Sequence, residues 1–101
     1  MSEIGNLVEY EKIVLYSIAR ANNFSLKAHN SEGLIRKFYP KNIQMNSKIV
    51  LRKINKAYTT LKTKGLIDKH ATGGNMTYKL TKEGPQIAMQ LEEILKQKYY
   101  K

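Results

Sequence analysis

"KGLIDKHATGGNMTYKLTKEG", residues 64–84, holds a change of period from which the rest of the chain can be parsed. Up to Gly65 the apolar residues recur at helical spacing. Beyond it they alternate: Met76, Tyr78 and Leu80 interleave with Thr77 and Lys79, and Leu66 to Lys69 reads as a shorter partner strand. Gly73-Gly74-Asn75 supplies the positive φ angles of a hairpin turn. Thr81 is placed to cap a following helix, with Gly84-Pro85 in the first turn, where proline is tolerated.

Upstream of this stretch lies the clearest helix. Asn46 or Ser47 can cap it, and Gly65 sits where a left-handed C-terminal residue belongs. Val50, Ile54, Ala57, Tyr58 and Leu61 mark one face; Lys48, Arg52, Asn55, Lys56 and Thr59 mark the opposite one with the same spacing. The apolar stripe is what any packed helix shows. The opposite stripe contains no acid.

The remaining elements are read by the same rules. Residues from Ile4 to Ala21 form a first helix on the spacing of Leu7, Val14, Ile18 and Ala21, widened by Val8 and Leu15, and Asn22-Asn23 stops it. Phe24 to Lys27 is a candidate short strand. Ser31-Glu32 starts a short helix with Leu34, Ile35 and Phe38 inward, ended by Pro40. In the last helix Ile87, Leu91, Ile94 and Leu95, with the stem of Lys98, form the inner stripe. Met45, Met76 and Met89 read as core filler.

At 101 residues the chain is one domain, near the size where a partner subunit helps stability. Without cysteine there is no disulfide framework and no thiolate chemistry. No apolar run approaches the ~20 residues of a membrane span, and the N-terminus lacks a signal-peptide layout, so a cytoplasmic protein without membrane association is expected. Eighteen Lys and Arg against eight Asp and Glu give a net charge of +10, unevenly spread. Residues 1–23 carry −1, residues 24–70 carry +9 and residues 71–101 carry +2. Cations concentrated in this way suit a polyanionic partner. A lysine-rich thermophile surface would come with matching Glu, and here the Glu is missing.

Helix, helix, helix, hairpin, helix is the element order of a winged helix-turn-helix. Leu61, Gly65-Leu66-Ile67, Tyr78 and Leu80-Thr81 with Gly84 resemble the recurring pattern of the PadR-like and MarR-like families over the C-terminal half of the chain. The first 40 residues agree in element order alone. The link from Pro40 to Met45 departs from the pattern, being longer than a three- or four-residue turn and without glycine. The resemblance implies a mainly α fold with a small β-hairpin: a three-helix core, a wing and a C-terminal helix. It also implies a homodimer formed by the terminal helices. Leu7, Tyr10, Val14, Leu91, Ile94, Leu95 and Tyr99 are the candidate interface, with Tyr16 and Tyr100 on the same helices.

On that fold the third helix would enter the major groove of double-stranded DNA, read mainly near its N-terminus. Arg52 suits guanine and Asn55 adenine, each bidentately, while lysines favour phosphate. Asn42, Gln44, Asn46 and Ser47 extend the polar set before the helix and at its start. Lys41, Lys69, His70, Thr72, Asn75 and Lys79 are the candidates on the backbone side and the wing. His29 and His70 stand far apart in sequence with no carboxylate or second ligand at metal spacing, which predicts no metal site. No acid pair, activated nucleophile or phosphate loop can be assembled, so neither an enzyme nor a cofactor is expected. Three uses of such a fold stay open: a transcriptional regulator, a DNA-organising protein such as a partition-site binder, and a protein-contact module, which the acid-free helix disfavours.

Overall fold

The computed structural model describes residues 7–99, apart from the side chains of Thr72 and Asn75. Four helices and a three-stranded antiparallel sheet follow in the order α1 (Glu9–Ala21), β1 (Asn30–Ser31), α2 (Glu32–Arg36), α3 (Lys48–Thr63), β2 (Ile67–Thr72), β3 (Asn75–Leu80) and α4 (Gly84–Tyr99). The sheet order is β1-β3-β2, so the last strand lies in the middle. None of the described helices is long and apolar enough to cross a membrane.

α1 is the centre of the fold. From Ile13 to Ala19 every residue is buried, Ser17 included, and the helix touches α2, α3, α4 and β3. A helix apolar on all sides must be covered on all sides. Ser17 satisfies its hydroxyl by donating to the Ile13 carbonyl at 2.7 Å. Glu11, also buried, accepts from the Val8 amide at 3.2 Å and from the Lys64 ammonium at 3.0 Å, joining the start of α1 to the end of α3. At the other face Tyr16 donates to Glu92, and Tyr99 and Lys98 meet Glu9, which fastens α4 to α1.

The hairpin is closed by chemistry at its base. Gly65 has φ +77°, and its amide donates to Lys62 while the Leu66 amide donates to Leu61, a Schellman ending for α3. The Leu66 carbonyl then accepts from the Thr81 amide at 3.1 Å. Gly73 and Gly74, both left-handed, make a two-residue turn between the paired residues Thr72 and Asn75.

Several expectations are corrected. The short strand expected at Phe24 to Lys27 is a turn in which Asn23 and Phe24 are left-handed, and the strand forms at Asn30–Ser31 instead. Asn22 accounts for the shift: buried, it donates to the Tyr78 carbonyl and accepts from Asn30, pulling that residue onto β3. The predicted helix start at Ile4, like Tyr100, lies outside the described residues; α1 begins at Glu9. Leu34, Met76 and Met89 are exposed rather than core. Lys98 holds Glu9 at 2.8 Å rather than laying its stem along the core. Thr81 does not cap α4, because its hydroxyl donates to the Gly65 carbonyl at 2.6 Å.

Gly84 has a steric reason. A Cβ there would lie 2.9 Å from the Leu66 carbonyl oxygen and 3.0 Å from the Leu80 side chain. Gly84→Ala is therefore expected to destabilise by about 1–3 kcal/mol through overpacking against backbone. Urea unfolding checks this; a loss within about 0.5 kcal/mol, the range of an ordinary surface substitution, would show that α4 can move away freely.

Candidate nucleic-acid interface

α3 is positioned from both ends and from below. At its start Ser47, not Asn46, is the cap, its hydroxyl accepting from the Val50 amide at 3.3 Å. The long link before it is two successive turns, closed by Ile43 amide to Pro40 carbonyl and Ser47 amide to Gln44 carbonyl, each at 3.1 Å. Ile43 and Met45 pack against the core while Lys41, Asn42, Gln44 and Asn46 are exposed. Underneath, Ile54, Ala57, Tyr58 and Leu61 are buried. The Tyr58 and Tyr39 hydroxyls are 3.1 Å apart, and the Tyr58 ring meets Tyr78 of β3 at 4.5 Å. Two tyrosines thus tie α3 to the end of the α2 segment and to the hairpin.

What this leaves outward is the predicted polar stripe. Lys48, Arg52, Asn55, Lys56 and Thr59 are all exposed and fall within an arc of about 100° on the helix. Among the described residues, Lys48, Arg52 and Lys56 take part in no salt bridge, and the stripe meets no acid on its own helix. Ile49, 65% exposed, borders the same arc. In the sequence an isoleucine one residue from the apolar stripe reads as core, which conceals this exposure.

The hairpin candidates divide. Lys69 and His70 on β2 are exposed, whereas Lys79 on β3 is half-buried and directly opposite Asp68, which offsets its charge. The strand backbone at Thr72 and Asn75 flanks the turn, but their side chains lie outside the description. Lys41 and Asn42 also wall an open cleft of about 760 Å³ that Arg20, Lys37 and Lys96 line from the other elements, so positive charge continues beyond α3.

The subunit interface expected from the sequence is largely used up within one chain. Leu7, Val14, Leu91 and Leu95 are buried within a single chain, where they form the seam between α1, α4 and the rest of the core. Tyr10 and Tyr99 are half-buried against that core, and Ile94 alone of the seven is exposed. The apolar stripes of the terminal helices face each other.

No protein-family model, curated protein or solved structure matches the chain.

The tyrosine pair has a pH signature. Burial pushes the Tyr39 hydroxyl up to about 12 and raises Tyr58 as well. The unfolded chain releases these protons near pH 10 and the folded chain holds them, so folding stability falls as pH rises from 10 towards 12. The expected slope is about 1.4 kcal/mol per pH unit for each tyrosine. Urea unfolding at pH 9, 10 and 11 measures it. The double variant Tyr39→Phe/Tyr58→Phe should lose that part of the alkaline decline; an unchanged decline would assign it instead to Tyr78, Tyr99 and Lys98, whose proton-bearing forms the fold also favours.

Proposed function

We propose that the protein is a winged helix-turn-helix that binds double-stranded DNA, with α3 as the reading helix and the β2-β3 hairpin as the wing. The observation that carries the reading is the outward face of α3: five exposed polar or basic side chains, no acid, on a helix fixed to the core. The element order and the strand order β1-β3-β2 support the winged form. Arg52 and Asn55 are assigned to base edges, Ile49 to a thymine methyl, and Lys48, Lys56, Lys41 and Lys69 to phosphates. Lys79, opposite Asp68, contributes less.

Sequence-specific regulation is the preferred use, and it calls for two copies on a two-fold site. Two chains each of charge +10 repel, so they must meet where lysine is absent. The outer face of α4 meets that condition: Gln86, Met89, Gln90, Glu93, Ile94 and Gln97 are all exposed and recur at helical spacing. Met89 and Ile94, 59% and 47% exposed, supply the apolar contact.

Light scattering at tens of micromolar should give a dimer, and Met89→Lys/Ile94→Lys should give a folded monomer, since neither side chain is in the core. A wild-type monomer with and without DNA would end the dimer reading.

DNA binding is tested on two duplexes of equal length at one salt concentration, one carrying a palindrome from the DNA flanking the gene and one scrambled. The palindrome should be preferred ~10³-fold or more. Arg52→Ala should cost about 1–3 kcal/mol at the preferred site and relax its sequence preference, whereas Lys69→Ala should weaken both duplexes alike. Equal affinities for the two duplexes would favour a DNA-organising role. No binding to either near physiological salt would overturn the nucleic-acid reading.

A further inference from the structure

The two histidines, 41 positions apart in the chain, meet in space. His29 precedes β1 and His70 lies on β2, the two outer strands of the sheet, and their rings approach to 4.7 Å between centroids with a tilt of 52°. The residue between them on the central strand is Thr77, paired in register with His70 on one side and with Ser31 on the other. A threonine is small enough to let the two imidazoles close over it.

Thr77 also settles how His29 carries its proton. The threonine hydroxyl has one hydrogen, and it is donated to the His70 carbonyl at 2.6 Å. Toward His29 the same oxygen can therefore only accept, so Nδ1, 3.0 Å away, bears the hydrogen. In the neutral ring that leaves the lone pair on Nε2. An N–H bonded to an oxygen acceptor on one nitrogen, with the other free to ligate, is the arrangement of metal-binding histidines.

We propose that His29 and His70 form a two-histidine site for a late first-row divalent cation, bound through His29 Nε2 and one nitrogen of His70. Rings spaced and tilted in this way can converge on one ion with bonds of about 2.0–2.1 Å. Among the described residues no group of three His, Asp or Glu forms a fuller cage, so water completes the coordination and the ion exchanges with solvent. Imidazole ligation suits Cu²⁺, Ni²⁺ and Zn²⁺, and Cu²⁺ should bind tightest. A bound ion would clasp β1 to β2 across β3, bracing the hairpin near its middle, at the His70–Thr77 pair. The inference does not depend on DNA binding.

Titration calorimetry of the untagged protein with CuCl₂ and ZnCl₂ tests it. One ion per chain is expected, with Cu²⁺ the tighter. His29→Gln and His70→Gln should each weaken binding at least ~10-fold, since one of two protein ligands is lost. Thr77→Val keeps both imidazoles and removes the acceptor that orients His29, and should also cost ~10-fold or more. Each variant's melting temperature without metal shows that it folds, and the wild-type melting temperature should rise with metal and fall back on chelation. Binding by either single histidine variant equal to the wild type, or wild-type binding no tighter than that of the double histidine variant, would overturn the site.

Discussion

The carbonyl of Leu66 is the point on which the arrangement of the C-terminal half depends. It accepts the Thr81 amide, so the chain leaving α3 and the chain entering α4 are hydrogen-bonded to each other at the foot of the hairpin. The neighbouring Gly65 carbonyl takes the Thr81 hydroxyl, and α4 approaches so closely that position 84 has no room for a Cβ. This accounts physically for the motif as a unit. Gly65 reverses the chain, Leu66 presents its carbonyl, Thr81 answers with two donors, and Gly84 admits the last helix. With that junction closed, the strands between residues 67 and 80 must project as a hairpin beside α3.

The same economy explains the electrostatics. Glu9, Glu11 and Glu92 are engaged in joining α1 to α3 and α4, where they take tyrosine hydroxyls, an amide and lysines. Acids used for internal joints do not neutralise the exposed stripe of α3. The positive surface is thus a consequence of how few carboxylates there are and where they are used. Burial of α1 has a parallel effect on apolar surface: by enclosing the central helix, α4 exhausts its own inner stripe and leaves only Met89 and Ile94 outside.

What the sequence made legible was whatever is decided locally. α3 with its two faces, the Gly-Gly turn, the left-handed Gly65 and the start of α2 at Ser31-Glu32 are each encoded within a few residues, whereas the pattern alone allows either Asn46 or Ser47 to cap α3 and the fold uses Ser47. The misses share one cause: they are decided by partners distant in the chain. β1 is two residues long and exists because Asn22 and Tyr78 hold Asn30; no periodicity can announce a strand so short. Thr81 has the profile of a cap and is captured by a carbonyl 16 residues earlier. Leu7, Val14, Leu91 and Leu95 form stripes that a second copy could have covered equally well on pattern alone. His29 and His70 are solitary in the sequence, and only the sheet brings them together.

The polar stripe and the hairpin differ in how firmly each is held, and that difference bears on what each can contribute. α3 is fastened at its start by Ser47, beneath by the Tyr39–Tyr58–Tyr78 chain, and at its end by Lys64 on Glu11. A side chain on such a helix is directed by the fold before any partner arrives, and little ordering cost falls on binding. The hairpin is fixed at its foot and across Thr77 but ends in two left-handed glycines, whose backbone is the most permissive in the chain. Discrimination between partners requires groups held to a fraction of an ångström, so in the proposed DNA-binding reading it is assigned to α3. In the same reading the hairpin tip is assigned the complementary part, following a surface and adding affinity that tolerates variation in what lies beneath it.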